Sequence, residues 1–245
     1  MLLCLLATCG SATAGAAEPW EIDVCATEEG IAAFDRGEAT IGYTDVVPPS
    51  SLPQSFRTER TADGYAWRLW GTELSAWQTL PIPDRSRYLL KWRFVYEGRI
   101  VEGRGRTGFI FGDPASANLL SVEVTHAGSL RLVRWGRQNF DNLGRIVWSR
   151  RMWSGGRGTV RIEAEYDIRD DTLVCSVDGG APVRILLREH MPSAPMTLRG
   201  VGFFAAVPEA TRVMSGNPRR IPYEDIDLSR KFTRVEHLRL SVQAD

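Results

Sequence analysis

Residues 159–180 read TVRIEAEYDIRDDTLVCSVDGG, and this stretch decides the fold class. Val160, Ile162, Ala164 and Tyr166 alternate with Arg161, Glu163, Glu165 and Asp167. A period of two turns one set toward a core and the other toward water, which is the pattern of a half-buried β-strand. Ile168, Arg169, Asp170 and Asp171 supply a polar turn. Leu173, Cys175 and Val177 then alternate with Thr172, Val174, Ser176 and Asp178, and Asp178-Gly179-Gly180 turns the chain again.

The same pattern extends in both directions. Toward the N-terminus, strands are predicted at 65–70, 88–96, 108–111, 118–125 and 130–135. In 88–96 Leu90, Trp92, Phe94 and Tyr96 share a face opposite Lys91 and Arg93. In 118–125 Leu120, Val122 and Val124 face inward, with Ser121, Glu123 and Thr125 outward. The Gly- and Arg-rich stretch 97–108 reads as a loop. So does 136–157, with a short strand at Ile146-Val147-Trp148. Toward the C-terminus, strands are predicted at 183–187, 198–207 and 235–242. Long helical periodicity is absent, so about a dozen short strands define an all-β chain, built as an antiparallel sandwich or a barrel. Residues 65–245 form one domain. Residues 18–64 read as an N-terminal arm with one edge strand, and Thr27 caps a short helical turn that carries Ile31 and Phe34 inward.

Lys+Arg and Asp+Glu both number 30 in 245 residues, and this zero net charge argues against a nucleic-acid binder working by basic excess. Residues 1–17 read as a secretory signal peptide, with a short leucine-rich run followed by small residues up to Glu18. That address makes the protein secreted or periplasmic. A second reading is a lipoprotein signal in which Cys9 of Leu6-Ala7-Thr8-Cys9 carries the lipid anchor. No later stretch is apolar enough to span a membrane. Cys4 and Cys9 lie in the leader. Cys25 and Cys175 remain, and in an oxidising compartment they either form a disulfide, contributing about 4–5 kcal/mol, or leave Cys175 as a small buried hydrophobe. The three histidines, His126, His190 and His237, are far apart, and there is no C-x-x-C, so no metal set is expected.

Three patterns carry a family resemblance: YLLKWRFVY followed by GFIFG; NLLSVEVTHAGSLRLVRW; and the 159–180 run followed by LRGVGFFAAV. Over residues 65–242 they resemble the concanavalin A-like lectin/glucanase superfamily, including its laminin-G-like modules. The resemblance implies a two-sheet antiparallel β-sandwich, a jelly roll, with one concave sheet, and a polysaccharide or glycan as ligand. It implies no obligatory cofactor, although a calcium ion held by loop carbonyls with Asp113 or Asp178 is compatible with such a fold.

A glycan-cleaving enzyme needs two carboxylates roughly 5–10 Å apart. Glu163 and Glu165, two residues apart on one strand face, are the candidates. Glu165 to Asp170 resembles the glucanase pattern E-x-D-x-x-E but ends in Asp where that pattern has its acid/base Glu. Surface carboxylates on strands are more ordinarily just solvated. A Ser/His/Asp site lacks its G-x-S-x-G. The binding reading rests on Lys91, Arg93, Glu123, Arg131, Glu163 and Glu165 sharing one face, and on Trp135, Trp148 and Trp153 stacking on sugars. Arg134, Arg137, Arg150 and Arg151 favour acidic glycans. Core packing is the more ordinary role for each tryptophan. The reading is therefore a non-catalytic glycan binder, with a hydrolase of the same fold or a protein-interaction module as alternatives.

Overall fold

A computed structural model describes residues 19–42, 56–70, 74–116, 118–136, 144–191, 195–207 and 232–245, with the side chains of 38–42 excepted. The leader 1–17 with Cys9, and Arg137, lie outside the described residues. In chain order the elements are β1 (Trp20–Asp23), α1 (Glu28–Asp35), β2 (Glu38–Gly42), β3 (Phe56–Thr61), β4 (Gly64–Trp70), β5 (Ser75–Pro81), β6 (Lys91–Gly103) and β7 (Arg106–Asp113). Then follow β8 (Asn118–Thr125), β9 (Ser129–Trp135), β10 (Arg145–Arg151), β11 (Thr159–Asp167), β12 (Thr172–Val177), β13 (Val183–Leu186), β14 (Gly200–Ala206) and β15 (Phe232–Ala244). Sheet A runs β13-β12-β11-β6-β15-β4-β3, with β1 paired to β15; sheet B runs β10-β9-β8-β7-β14-β5-β2. Every described pairing is antiparallel. The architecture is the expected two-sheet antiparallel β-sandwich.

The deciding stretch forms β11 and β12 as its alternation requires. Val160, Ile162, Ala164, Tyr166, Leu173, Cys175 and Val177 are buried in the main core between the sheets. The turn after β12 is set by Asp178 (φ 51) and Gly179 (φ 68), with Gly180 N donating to Val177 O at 2.9 Å. Two consecutive positive φ values suit the twist of a tight hairpin, and Asp and Gly are residues that adopt them readily. The turn between β11 and β12 is tied inward: Tyr166 Oη donates to Asp171 Oδ1 at 2.9 Å, and Met196 N donates to Tyr166 Oη at 2.9 Å.

Burial pushes the Asp171 carboxyl above its ordinary value, partly offset by the Tyr166 hydrogen bond. The folded state therefore holds this proton at pH values where the unfolded chain has lost it. The group's contribution to stability is full below the ordinary carboxylate value and falls as pH rises through the folded one. Asp171→Asn is expected to abolish that fall, and Asn tolerates the φ of 57. As pH rises above the ordinary carboxylate value, the urea midpoint of the variant should gain progressively on that of the native protein. A difference independent of pH would refute this account.

Three expectations are corrected. The stretch 97–108 is strand on both sides of the Arg104-Gly105 link, because β6 runs to Gly103 and β7 starts at Arg106. The alternation continues once Gly98 is counted as an inward position. A Cβ there would lie 2.1 Å from Tyr96 Oη, so the glycine makes room for the Tyr96 phenol, which hydrogen-bonds Thr107. Outward, Glu97 pairs with Arg161 at 2.6 Å and Arg99 with Glu236 at 3.1 Å. Second, the segment expected as an arm contributes β1, β2, β3 and α1 to the sandwich. Thr27 caps α1 by accepting from Gly30 N at 3.0 Å, and Phe34 is buried in the main core. Third, Cys25 and Cys175 are free thiols. Cys25 donates to Leu238 O at 3.1 Å beside β15, while Cys175 sits on β12, three strands away. At about 4.8 Å per strand, that separation exceeds the Cα spacing a disulfide spans.

Candidate functional site on the concave sheet

Sheet B is apolar on both faces. Leu120, Val122, Val124, Leu130, Leu132, Phe109, Phe111, Val201 and Phe203 point into the main core. The intervening positions form a second cluster on the outer face: Trp77, Ile110, Leu119, Val133, Trp135, Phe204 and Ala206. Trp77 on β5 and Trp135 on β9 are four strands apart in the sheet order. On a flat sheet their rings would be separated by about 19 Å. Their centroids are 5.1 Å apart, and Trp135 also meets Phe204 at 5.4 Å. Leaning of the side chains alone does not close that gap, so the outer face of sheet B is concave. Gly202 permits the close strand approach this bending needs, since a Cβ there would lie 1.7 Å from Gln78 O.

Beside the rings is a buried ion pair. Arg106 Nη1 donates to Glu123 Oε1 at 2.7 Å, with side-chain exposures of 8% and 0%. The Arg106 guanidinium also lies over the Phe204 ring, 5.9 Å from its centroid. Trp135 Nε1 donates to Ser121 Oγ at 2.9 Å, and Ser121 Oγ reaches Glu123 Oε2 at 3.5 Å. Aromatic cluster and ion pair thus form one network: Phe204, Arg106, Glu123, Ser121, Trp135. The floor is nearly closed, Trp135 and Trp77 being 6% and 7% exposed. Its rim toward β10 is open, because Ile146, Ser149 and Arg151 are exposed opposite Val133, Arg131 and Ser129.

The structure brings together three of the expected ligand-binding residues, Glu123, Arg131 and Trp135. It separates them from the others. Arg93, Lys91, Glu163 and Glu165 lie on the outward face of sheet A, across the sandwich, so the six charged groups expected to share one face do not. Glu163 accepts there from Arg161 at 2.8 Å, and the pair is well exposed. Trp148 and Trp153 are half-buried against the main core. Asp113 accepts from Ala115 N at 3.0 Å within its own turn, and Asp178 accepts from Arg161 N at 2.7 Å. Among the described residues no three His, Cys, Asp or Glu side chains come together to hold a metal ion. Among the described residues no helix is long and apolar enough to cross a membrane.

Trp77, Phe204, Arg106 and Ser121 were not singled out by sequence. Arg106 fell in the stretch read as a loop. The signal for Phe204 was the adjacent pair Phe203-Phe204: neighbours on a strand point to opposite faces, so two consecutive buried aromatics mean two apolar faces.

No family model matches the sequence, and no curated protein matches it. Among solved structures, the winged bean acidic lectin complexed with methyl-α-D-galactose superposes with a TM-score of 0.50 at 10% identity, covering 93% of this chain and 99% of the lectin. Peanut lectin with a nine-residue peptide gives 0.47 at 11% identity, covering 94% and 98%. A sialidase gives 0.39 at 14% identity, covering 80% of this chain and 17% of the sialidase. At these identities the likeness is one of fold. The chain has the concanavalin A-like jelly-roll fold of the legume lectins.

Proposed function

We propose that the protein is a non-catalytic glycan-binding β-sandwich, exported with loss of residues 1–17, and that it binds across the concave face of sheet B toward the β10 rim. The supporting observation is the curvature of that sheet. It gathers Trp77, Trp135 and Phe204 around the Arg106–Glu123 pair and leaves Arg131, Ser149 and Arg151 along an open side. Exposed hydrogen-bonding groups beside the apolar Ile146 on that side suit the mixed polar and apolar surface of a sugar. A hydrolytic reading requires a second carboxylate within about 10 Å of the first. Among residues with described side chains, Glu123 is the one carboxylate on this face, and it is committed to Arg106 and Ser121.

Affinity electrophoresis in gels containing neutral and acidic polysaccharides tests the reading. Retardation by at least one polymer is expected. Ser149→Trp, which fills the open rim with a bulky ring, should restore free mobility while shifting the thermal midpoint by no more than about 2 °C. Uniform mobility of the native protein across the panel would refute glycan binding. Undiminished retardation of the Ser149→Trp variant would refute this location.

A further inference from the structure

Between Glu123 and Glu163 the chain has eight arginines and one acidic residue, Asp141. The structure places five of these arginines, Arg131, Arg134, Arg145, Arg150 and Arg151, on β9 and β10 at one edge of sheet B. Among the described residues β10 is the end strand of sheet B and pairs with β9 alone. Its register sets Arg145 directly opposite Arg134. Like charges facing each other across a ladder repel, so such a pair costs stability unless an anion lies between them. Arg134 Nε is buried and meets no acceptor among the described residues. A buried, unanswered guanidinium donor is a costly feature that an anionic ligand would satisfy.

An irregularity in the ladder between Ile146 and Trp148 leaves an extra residue, Val147, on β10. Such a bulge re-aims the side chains that follow it. Trp148 then pairs with the inward-facing Leu132 and Arg150 with Leu130, so Arg145, Trp148 and Arg150 lie along one side of the end strand. Trp148 is half-buried, and Arg145 and Arg150 are exposed. This side adjoins the concave rim across the thickness of one strand.

We infer that the β10 edge selects anionic glycans, polymers bearing a carboxylate or sulfate on the sugar unit, by clamping that group between Arg134 and Arg145 and seating a neighbouring sugar face on Trp148. Guanidinium forks match planar carboxylates and sulfate oxygens in paired hydrogen bonds. The indole supplies the apolar contact that a bare polyanion site would not need. The inference rests on the glycan-binding reading above and adds the ligand's chemical class. A polysaccharide lying across the concave face would leave it over this edge.

The test is binding of the full protein to dextran (neutral), polygalacturonate (carboxylate) and dextran sulfate (sulfate), with poly-glutamate and single-stranded DNA as polyanions lacking that sugar chemistry. Binding to polygalacturonate or dextran sulfate is expected, and comparison of the two identifies the anion. Arg145→Glu, at an exposed position that should not disturb folding, is expected to weaken it by about tenfold or more, the order of one lost charge-assisted contact. Trp148→Ala should weaken polysaccharide binding beyond any effect on poly-glutamate. Retention of dextran alone would overturn the inference while leaving glycan binding intact. Equal affinity for poly-glutamate or DNA would overturn the sugar-specific occupant. Loss of all binding across the panel would overturn both readings.

Discussion

Replacing Phe203 by alanine is expected to destabilise the protein by about 3–5 kcal/mol, the range for deleting a buried aromatic ring without collapse of its surroundings. Phe203 projects from β14 into the main core and is fully buried. Its ring meets Phe34 of α1 at 4.7 Å, Tyr65 at 6.1 Å, Trp67 at 6.2 Å and Tyr96 at 6.3 Å. Those four partners come from the helix and from β4 and β6 of the opposite sheet, so one ring joins three parts of the molecule. The cavity would be lined by rigid aromatic groups, each held by its own neighbours, and such walls relax little. Urea unfolding should give a lower midpoint with an unchanged slope, because the surface exposed on unfolding is nearly the same. Phe203→Leu should recover most of the loss. A loss below about 1 kcal/mol for the alanine variant would refute the role of this ring as the joint between the sheets.

The parts of the fold legible in the sequence are those where burial is one-sided. In β11, Glu163 and Glu165 face water and Ile162 and Ala164 face the core, so period two reports the strand directly. The outer face of sheet B violates that premise. Ser121, Glu123 and Thr125 alternate with Leu120, Val122 and Val124 just as solvent-facing residues would, yet Ser121 and Glu123 are fully buried. Their burial comes from curvature, which brings Trp77 and Trp135 together from β5 and β9. Curvature is a property of the whole sheet, and no local pattern records it. The extent of β6 was hidden for a different reason. Gly98 is an inward position whose volume is supplied by Tyr96, so the alternation looks broken where the packing is continuous. The cysteines show the same limit, since the strand order that separates β12 from β15 is set by distant pairings.

Glu123→Ala is expected to cost about 3–5 kcal/mol, because it leaves the Arg106 guanidinium in a buried setting without the carboxylate that neutralises it. The Phe204 ring beneath Arg106 offers only partial compensation. Glu123→Gln keeps the shape and the contact to Ser121 but removes the charge, so its loss should be large and somewhat smaller. The paired replacement Arg106→Met with Glu123→Leu should recover much of the stability, since apolar groups of similar volume escape the desolvation cost that a buried pair carries. This pattern across the three variants separates an ion pair that organises the concave face from a catalytic acid. A catalytic acid would make Glu123→Gln nearly silent in urea unfolding while abolishing any glycan cleavage. An ion pair that organises the face makes it unstable and moves Trp135 with it, because Ser121 links the carboxylate to the indole. A near-native urea midpoint for Glu123→Ala would show that the face does not depend on the pair. Tryptophan fluorescence recorded on the same samples should report the loosening of the Trp77–Trp135 contact before global unfolding. The concave face would then be a surface whose geometry is held by a buried salt bridge.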